Sequence, residues 1–446
     1  MQIVQQLLFV AALGVTAWFI SKRVGIIKKT IQLGKAEERT DRPNERLATM
    51  LRVAFAQKKM FDRPVVGLMH FVIYAGFLLI NVEVLEIVLD GIFGTHRLFA
   101  PILGGFYPIL INFFEFLAVG VLAVCVVFLI RRNITKVERL QPERHRELNG
   151  WPVLDANTIL GIEIVLMMAI LSMNAADSIL QERGVEHYPL VGSFFFSGFL
   201  SPLFSGLSDI ALVAVERVAW WAHILGIFGF ALYVTYSKHL HIFLAFPNTY
   251  FANLTPKGEM ANMPDITKEV KIMLGLEQPD ATEAPAEIGR FGAKDVADLS
   301  WKNLMDAYSC TECGRCTAAC PANITGKKLS PRKIMMDTRD RLEDVGKNML
   351  ANGGDFKDDG KSLLGDYILE EEILACTTCN ACVQECPVLI NPLEIILQLR
   401  RYKIMDEAQA PGSWNAMFNN LETNQAPWKF SPGDRFNWAD NIKIDD

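Results

Sequence analysis

Eight of the nine cysteines form two runs that have the same spacing. In each run the gaps are two, two and three residues, and proline follows the last cysteine; the runs are Cys310, Cys313, Cys316, Cys320 and Cys376, Cys379, Cys382, Cys386. This C-x2-C-x2-C-x3-C-P spacing is typical of cysteines that bind [4Fe-4S] clusters. Three closely spaced cysteines wrap one cubane, and the fourth is turned away by the proline and reaches the other. We therefore expect cluster 1 on Cys310, Cys313, Cys316 and Cys386, and cluster 2 on Cys376, Cys379, Cys382 and Cys320.

A pair of zinc sites is the alternative interpretation of these runs. Zinc ribbons use two pairs of cysteines rather than runs of four that end in proline, so the spacing favours iron–sulfur clusters. Two clusters with interleaved ligands lie close enough to exchange electrons. Cys125 stands apart, within an apolar segment, and we interpret it as a small packing residue.

Three histidines, His70, His223 and His241, lie in or at the ends of long apolar segments. A histidine inside a bilayer is costly and usually functional, and beside iron–sulfur clusters its natural role is axial ligation of b-type haem. His223 and His241 are 18 residues apart; this is five helical turns, which puts both on one face about 27 Å apart. That spacing suits two haems stacked across a membrane. His239 points elsewhere, and we interpret it as an interfacial polar residue.

The other ligands must come from another segment. His70 and His241 both lie near the basic end of their segments, so we expect them to share an inner haem. His223 is about 22 Å higher, too far for His70. His96 is the tentative partner of His223, with His187 as a weaker candidate. The alternative is that His223 binds nothing and that only one haem exists.

The elements that carry these residues divide into an apolar half and an acidic half. Residues 1–246 have a formal net charge of +3 and residues 247–446 one of −9, in a chain of 446 residues. The mean hydropathy of +0.21 is high for a soluble protein, and no concentrated basic surface suggests nucleic-acid binding. Five segments are long enough to cross a bilayer as helices; they lie near 3–20, 65–89, 106–130, 154–180 and 210–237.

Loop charge predicts the orientation of these segments. The loops 21–64 and 131–153 carry 18 Lys and Arg residues, whereas the loops 90–105 and 181–209 carry two. Basic loops stay in the cytoplasm. We therefore expect a multi-pass protein of the cytoplasmic (inner) membrane, with its N-terminus outside and everything after Lys238 in the cytoplasm. There the reducing milieu preserves thiolate ligands.

Two apolar stretches allow a second interpretation. The first segment lacks a basic start and a cleavage site, so we interpret it as an uncleaved anchor rather than a signal peptide. The stretch 193–207 is interrupted by glycine and proline, and it fits an interfacial or re-entrant piece as well as a plain hydrophobic loop.

The fold class that follows is an all-α membrane protein, a five-helix transmembrane bundle with a small α-helical ferredoxin-type dicluster domain. We expect four parts: a membrane domain at 1–246, a linker at 247–300 with one short helix near 265–276, a cytoplasmic two-cluster domain at 301–405, and an extended tail at 406–446. The tail contains scattered aromatic residues without periodicity. It is expected to lie along a partner chain, with disorder as the alternative.

Two carboxylates lie well inside the predicted third and fourth spans. Glu115 and Glu163 are candidates for passing protons to a quinone, because buried carboxylates often serve in proton relays. The alternative is that each simply pairs with a nearby polar group.

The arrangement of spans and histidines over residues 60–240 resembles the cytochrome b (gamma) subunit of respiratory nitrate reductase. The run from Trp220 through His223, Ser237 and His241 to Asn248 resembles the fused membrane-cytochrome and iron–sulfur branch of the heterodisulfide-reductase-like proteins. The cysteine region is similar to the dicluster subunit of those proteins and to the C subunit of anaerobic glycerol-3-phosphate dehydrogenase.

The resemblance implies haem ligation by His70, His223 and His241. Ile80 stands where the nitrate reductase subunit has a second histidine in its second span. Many relatives continue into cysteine-rich CCG domains, which are absent before Asp446, so the resemblance implies a separate CCG-domain or flavoprotein subunit as partner.

These patterns predict an electron-transfer subunit anchored in the membrane. Electrons would pass between a cytoplasmic redox partner, two [4Fe-4S] clusters, one or two b haems and the membrane quinone. A Gly-rich dinucleotide loop and a nucleophile constellation are both lacking, so we expect a subunit of a quinone-linked oxidoreductase rather than a complete enzyme. The alternative is a haem-free membrane ferredoxin for assembly or redox sensing.

Overall fold

Five long helices dominate the computed structural model, which describes residues 2–278 and 290–442. They are α1 (Gln2–Gln32), α2 (Pro64–Phe93), α3 (Tyr107–Asn133), α4 (Trp151–Glu182) and α5 (Asp209–Val234). Each is long and apolar enough to cross a membrane. The described residues contain isolated β-bridges but no strand, and the predicted all-α fold with a five-helix bundle is confirmed.

Local sequence sets where the spans begin and end. Pro64 opens α2 at the first helical position, where the missing N–H breaks no hydrogen bond. Gly94 follows the last turn of α2 with φ 69°, a left-handed conformation that glycine adopts without strain. Ser208 caps α5, since its side chain accepts a hydrogen bond from the N–H of Ala211.

Helix α1 continues twelve residues beyond the predicted end of the first segment at residue 20. Its polar last turns are covered by the cysteine-rich half of the chain. Arg23 forms an ion pair with Glu343 at 2.6 Å, and Ile26 and Thr30 approach Gly346 so closely that a larger residue there would displace them. Hydropathy detects only the apolar part of this helix, so the predicted segment 3–20 does not include the polar turns that follow.

The bundle is built around α4. Of the most apolar 18 residues of α4, 56% are buried inside the protein, whereas only 6% of those of α1 are buried. Helix α4 packs on α3 and α5, α3 packs on α2, and α1 lies beside α2 and α5. Helices α2 to α5 therefore form the core, and α1 turns most of its apolar surface outward, as expected for a helix that faces lipid.

The remaining helices are shorter. Five of them are α6 (His241–Tyr250), α7 (Trp301–Ser309), α8 (Pro331–Ala351), α9 (Pro392–Arg401) and α10 (Gly412–Asn424). Helix α10 lies in the tail that was predicted to be extended, so that part of the prediction is wrong. Eight others are Pro43–Met50, Ala100–Leu103, Ser201–Phe204, Pro264–Met273, Arg315–Ala318, Pro321–Ile324, Glu370–Leu374 and Ala381–Glu385. Helices α7, α8 and α9 enclose a core in which Leu304, Ile334 and Ile396 are fully buried.

The predicted linker begins within a helix and not with a flexible tether. Helix α6 crosses residue 246, and Asn248 within it donates to the carbonyl of Val388 at 2.9 Å. Lys302 of α7 donates to the same Asn248 side chain at 3.0 Å. The short helix expected near 265–276 is present as Pro264–Met273, whereas residues 279–289 of the predicted linker and 443–446 of the predicted tail lie outside the described residues.

Candidate metal centres

The cysteines of cluster 1 surround one pocket. Cys310, Cys313, Cys316 and Cys386 all line it, although Cys386 is far away in sequence. Helix α7 ends at Ser309 and delivers the chain to this loop. The N–H of Ile390 donates a hydrogen bond to Sγ of Cys386 at 3.2 Å.

The cysteines of cluster 2 surround a second pocket. Cys320 of the first run joins Cys376, Cys379 and Cys382 of the second run around it. The two runs repeat the same backbone: Glu312 and Thr378 have φ near +55°, and Gly314 and Asn380 have φ of 72° and 61°. The structure therefore brings together the two crossed sets of four that the spacing indicated.

The thiols suit iron–sulfur clusters. Burial raises the pKa of Cys310 to about 11 and that of Cys386 to about 12, which favours the neutral thiols unless a cation is bound. Each set is spread around its pocket, and across the described ranges no three His, Cys, Asp or Glu side chains converge as the ligands of one metal ion do. A cubane binds each cysteine through a different iron, which fits the spread arrangement.

The cluster 1 pocket lies against the membrane half. Arg315, inside the first run, donates to the carbonyl of Lys59 at 3.0 Å, and Arg139 donates to the carbonyl of Cys313 at 3.0 Å. A Cβ on Gly314 would collide with a side-chain nitrogen of Arg332 and approach the carbonyl of Arg139. Glycine at this position therefore permits the loop 131–153 to touch the cysteine loop.

The cluster 2 pocket is lined by residues of the cysteine-rich half. Cys379 is exposed, whereas Cys310, Cys320, Cys382 and Cys386 are buried. Around this pocket, Arg400 of α9 donates to the carbonyl of Cys376 at 2.8 Å, a contact within the cysteine-rich half itself. Cluster 2 is thus the site that presents a ligand to the surface.

Three histidines, His70, His239 and His241, lie at the end of the bundle that contacts the cluster 1 loop. Nδ1 of His70 lies 3.0 Å from Oε1 of Gln57, and Nδ1 of His241 lies 3.0 Å from the carbonyl of Lys238. The rings of His239 and His241 are 5.3 Å apart. Burial, reinforced by His241 and His70 nearby, lowers the pKa of His239 to about 3.

The hydrogen bonds of His70 and His241 leave their Nε2 atoms available. When Nδ1–H donates to an oxygen, Nε2 carries the lone pair that can bind iron, and the second partner fixes the plane of the ring. The donor set therefore fits a haem with two histidine ligands. Gln57 and Lys238 were not predicted as supporting residues, because neither lies in a recognisable motif.

Lys238 connects this histidine group to the cluster 1 loop. Its carbonyl orients His241, and its side chain forms an ion pair with Glu312, which lies between Cys310 and Cys313. Arg339 of α8 pairs with the same carboxylate at 2.6 Å. Burial raises the pKa of Glu312, but the attraction of Arg339 and Lys238 outweighs it and lowers the pKa to about 2.

Glu312→Gln is expected to weaken the junction between the two halves. It leaves Lys238 and Arg339 buried without their counter-charge, which costs about 3–5 kcal/mol when one partner of a buried pair is removed. A urea titration of the detergent-solubilised protein, followed by iron–sulfur absorbance, measures this. Glu371→Gln is the matched control, since its pair with Lys328 is exposed and should contribute at most about 1 kcal/mol. Equal midpoints for the two variants would contradict the prediction.

His223 lies in a cavity within the bundle. Its Nδ1 lies 2.9 Å from the carbonyl of Leu166, and its buried Nε2 has no hydrogen-bond partner. The cavity is lined by α2, α3, α4 and α5, and it includes Ile80 and Glu163. Among the residues that line this cavity, the histidine is His223, and neither His70 nor His241 is included.

The structure does not bring His96 to His223. Nε2 of His96 lies 3.2 Å from Asp177, in a buried polar network at the end of the bundle away from the cysteines. Arg97 donates to Asp177 at 2.8 Å and to Asn174 at 2.6 Å in the same network. His187 lies beside His96, with ring centroids 5.4 Å apart. The two tentative partners thus form a group of their own.

The two candidate carboxylates have different surroundings. Glu115 accepts hydrogen bonds from the N–H groups of Phe196 and Ser197, from the Ser197 hydroxyl and from Asn174. These bonds tie Phe196 and Ser197 to the bundle, whereas Phe199 of the same stretch 193–207 is exposed. Glu163 faces the His223 cavity and has no hydrogen bond within the described residues.

Residues 309–390 match the family model of the 4Fe-4S dicluster domain. The chain is 29% identical to a probable iron-sulfur-binding oxidoreductase, FadF, of Bacillus subtilis (strain 168), over 96% of this chain and 60% of the relative. It is 27% identical to the EtfAB:quinone oxidoreductase of Syntrophomonas wolfei, over 92% of this chain and 56% of the relative. A probable membrane-anchored ferredoxin of Chromohalobacter salexigens is 32% identical over 38% of this chain and 27% of that protein.

The chain therefore spans somewhat more than half the length of the first two relatives. No solved structure matches it significantly. The expected likeness to heterodisulfide reductase subunits is confirmed, since subunits C and D of Methanosarcina species match 24% and 34% of this chain. The chain thus combines five candidate membrane helices with a 4Fe-4S dicluster domain, and its relatives are iron–sulfur oxidoreductases and a membrane-anchored ferredoxin.

Proposed function

We propose that this chain is the membrane-anchored electron-transfer subunit of a quinone-linked oxidoreductase. It connects a cytoplasmic redox partner, two [4Fe-4S] clusters, a b-type haem and the quinone pool of a respiratory membrane. The observation that carries the proposal is the junction at Lys238, which contacts both the cluster 1 loop and the histidine His241. The clusters and the haem, when bound, supply one-electron carriers; the residues described above hold them and set their order.

The two cysteine pockets and the histidine group lie in series. Cluster 2 presents the exposed Cys379, cluster 1 is buried against the bundle, and His70 and His241 lie just beyond it. This order supports entry from a partner at cluster 2 and exit towards the membrane. The ligands we propose are the crossed cysteine sets and, for the haem, His70 with His241.

The partner and the orientation are part of the proposal. The basic loops 21–64 and 131–153 lie at the end of the bundle that contacts the dicluster domain, so that end is assigned to the cytoplasm. The partner is a separate CCG-domain or flavoprotein subunit, and the tail 406–446, with exposed Trp428 and Trp438, offers it an aromatic surface. The name EtfAB:quinone oxidoreductase, borne by one relative, supports quinone as a reactant.

The competing function is a haem-free membrane ferredoxin, which the shorter match to a membrane-anchored ferredoxin favours. A reduced-minus-oxidised optical spectrum of the purified protein, with a pyridine haemochrome count, separates the two. We expect a b-type spectrum with one haem per chain and reduction of the clusters on addition of a quinol. A protein with two clusters and no haem would replace our proposal by the ferredoxin.

A further inference from the structure

The cavity around His223 contains three polar side chains among apolar ones. They are His223 of α5, Glu163 of α4 and Asn81 of α2; the walls include Ile73, Ile80, Val121 and Phe230. Asn81 is exposed on the surface of the bundle, at a level where that surface faces lipid. Its amide donates to the carbonyl of Phe77 one turn earlier. Because Asn81 is exposed and also lines the cavity, the cavity reaches the outer surface of the bundle there, where a lipid-soluble molecule can enter.

His223 has an unsatisfied atom in this cavity. Because the carbonyl of Leu166 can only accept, Nδ1 of His223 carries the proton and Nε2 carries a lone pair. That Nε2 is buried and unpartnered, which is rare because it costs free energy. A ligand that donates a hydrogen bond to Nε2 would remove this cost.

A second haem does not complete the site. An axial pair would need another strong ligand opposite His223, but the position on α2 is the apolar Ile80, and His96 is bound to Asp177. Glu163 adds a carboxylate without a hydrogen bond within the described residues. The cavity therefore offers two proton acceptors and apolar walls.

We propose that this cavity binds the headgroup of the membrane quinone and quinol. Nε2 of His223 receives one phenolic proton and the Glu163 carboxylate receives the other, while the isoprenoid tail leaves past Asn81 into the lipid. Oxidation of the quinol breaks two O–H bonds and releases two electrons, one at a time, to the b-type haem of the proposed function; reduction runs in reverse. The inference rests on that proposed function and deepens it.

Contacts connect the cavity to the histidine group. Phe230 lines the cavity and its ring lies 5.5 Å from the ring of His239, which in turn lies 5.3 Å from His241. On α2, Ile73 lies one turn from His70. The headgroup would thus be adjacent to the haem ligands, as transfer of single electrons requires.

The test measures binding of a quinol analogue, 2-heptyl-4-hydroxyquinoline N-oxide, by fluorescence quenching, together with the haem count. His223→Gln and Glu163→Gln are each expected to weaken binding about tenfold or more, as for loss of a hydrogen bond to a charged group, and to leave the haem count unchanged. Asn81→Leu should weaken binding as well. Asn157→Leu is its matched control, because Asn157 of α4 is outside the cavity and bonds to Asn133.

Two outcomes overturn the inference while the proposed function stands. One is a loss of haem in His223→Gln, which would make His223 an axial ligand. The other is unchanged binding of the analogue in both His223→Gln and Glu163→Gln. Absence of haem and of quinol-driven reduction in the unaltered protein would instead refute the proposed function. Glu163→Gln keeps the test decisive if His223→Gln does not fold, since it conserves the size of the side chain.

Discussion

His241→Leu is expected to remove the b-type haem spectrum, whereas His239→Leu should retain it. The two rings are neighbours, 5.3 Å apart, and both residues are half-buried. They differ in orientation, because Nδ1 of His241 is held by the carbonyl of Lys238 and its Nε2 is left to bind iron. The same volume is removed in both variants, so a difference between them reports ligation rather than packing.

The measurement is the pyridine haemochrome count of each purified variant. His70→Leu should resemble His241→Leu, since loss of either axial histidine breaks the pair. Gln57→Leu removes the hydrogen bond to Nδ1 of His70 and should lower haem affinity by about 10- to 100-fold, as loss of a supporting hydrogen bond typically does. Equal haem content in His241→Leu and His239→Leu would exclude His241 as a ligand.

Sequence spacing was sufficient for the cysteine pockets because the ligands come from two short, regular runs. The proline after Cys320 and after Cys386 turns the chain, and the positive φ angles recur at the same positions of each run. Hydropathy was also sufficient for the existence of the five spans, because the lipid-facing surface must be apolar whatever the packing. These features depend on local chemistry, which a sequence displays directly.

Features that depend on packing between distant elements could not be predicted. The junction of Lys238 with Glu312 joins residues 74 apart, and nothing in either segment marks the partner. Helical phase predicted that His223 and His241 lie on one face of one helix, but α5 ends at Val234 and His241 begins the separate helix α6, so this prediction is wrong. The sequence also does not reveal that His96 pairs with Asp177. His239, which the sequence suggests is an interfacial polar residue, lies with its ring 5.3 Å from that of His241 and 5.5 Å from that of Phe230, and its place in the sequence did not indicate these neighbours.

Cys320→Ser is expected to remove cluster 2 and to leave cluster 1. Cys320 belongs to the first run in sequence, but in the structure it faces Cys376, Cys379 and Cys382 of the second. Non-haem iron should fall from about eight to about four atoms per chain, as loss of one four-iron cluster requires. Cys125→Ser is the matched control, because Cys125 is buried in α3 away from both pockets and its loss should not change the iron content.

Double variants distinguish crossed from uncrossed ligands. If Cys320 and Cys382 hold the same cluster, the double variant Cys320→Ser/Cys382→Ser keeps about four non-haem iron atoms, as either single variant does. Cys320→Ser/Cys316→Ser should then lose both clusters, because Cys316 lines the other pocket. The opposite pattern would mean that each run of four holds its own cluster.

Since cluster 2 alone presents an exposed ligand, its loss should also stop reduction by a protein partner while quinol still reduces the haem.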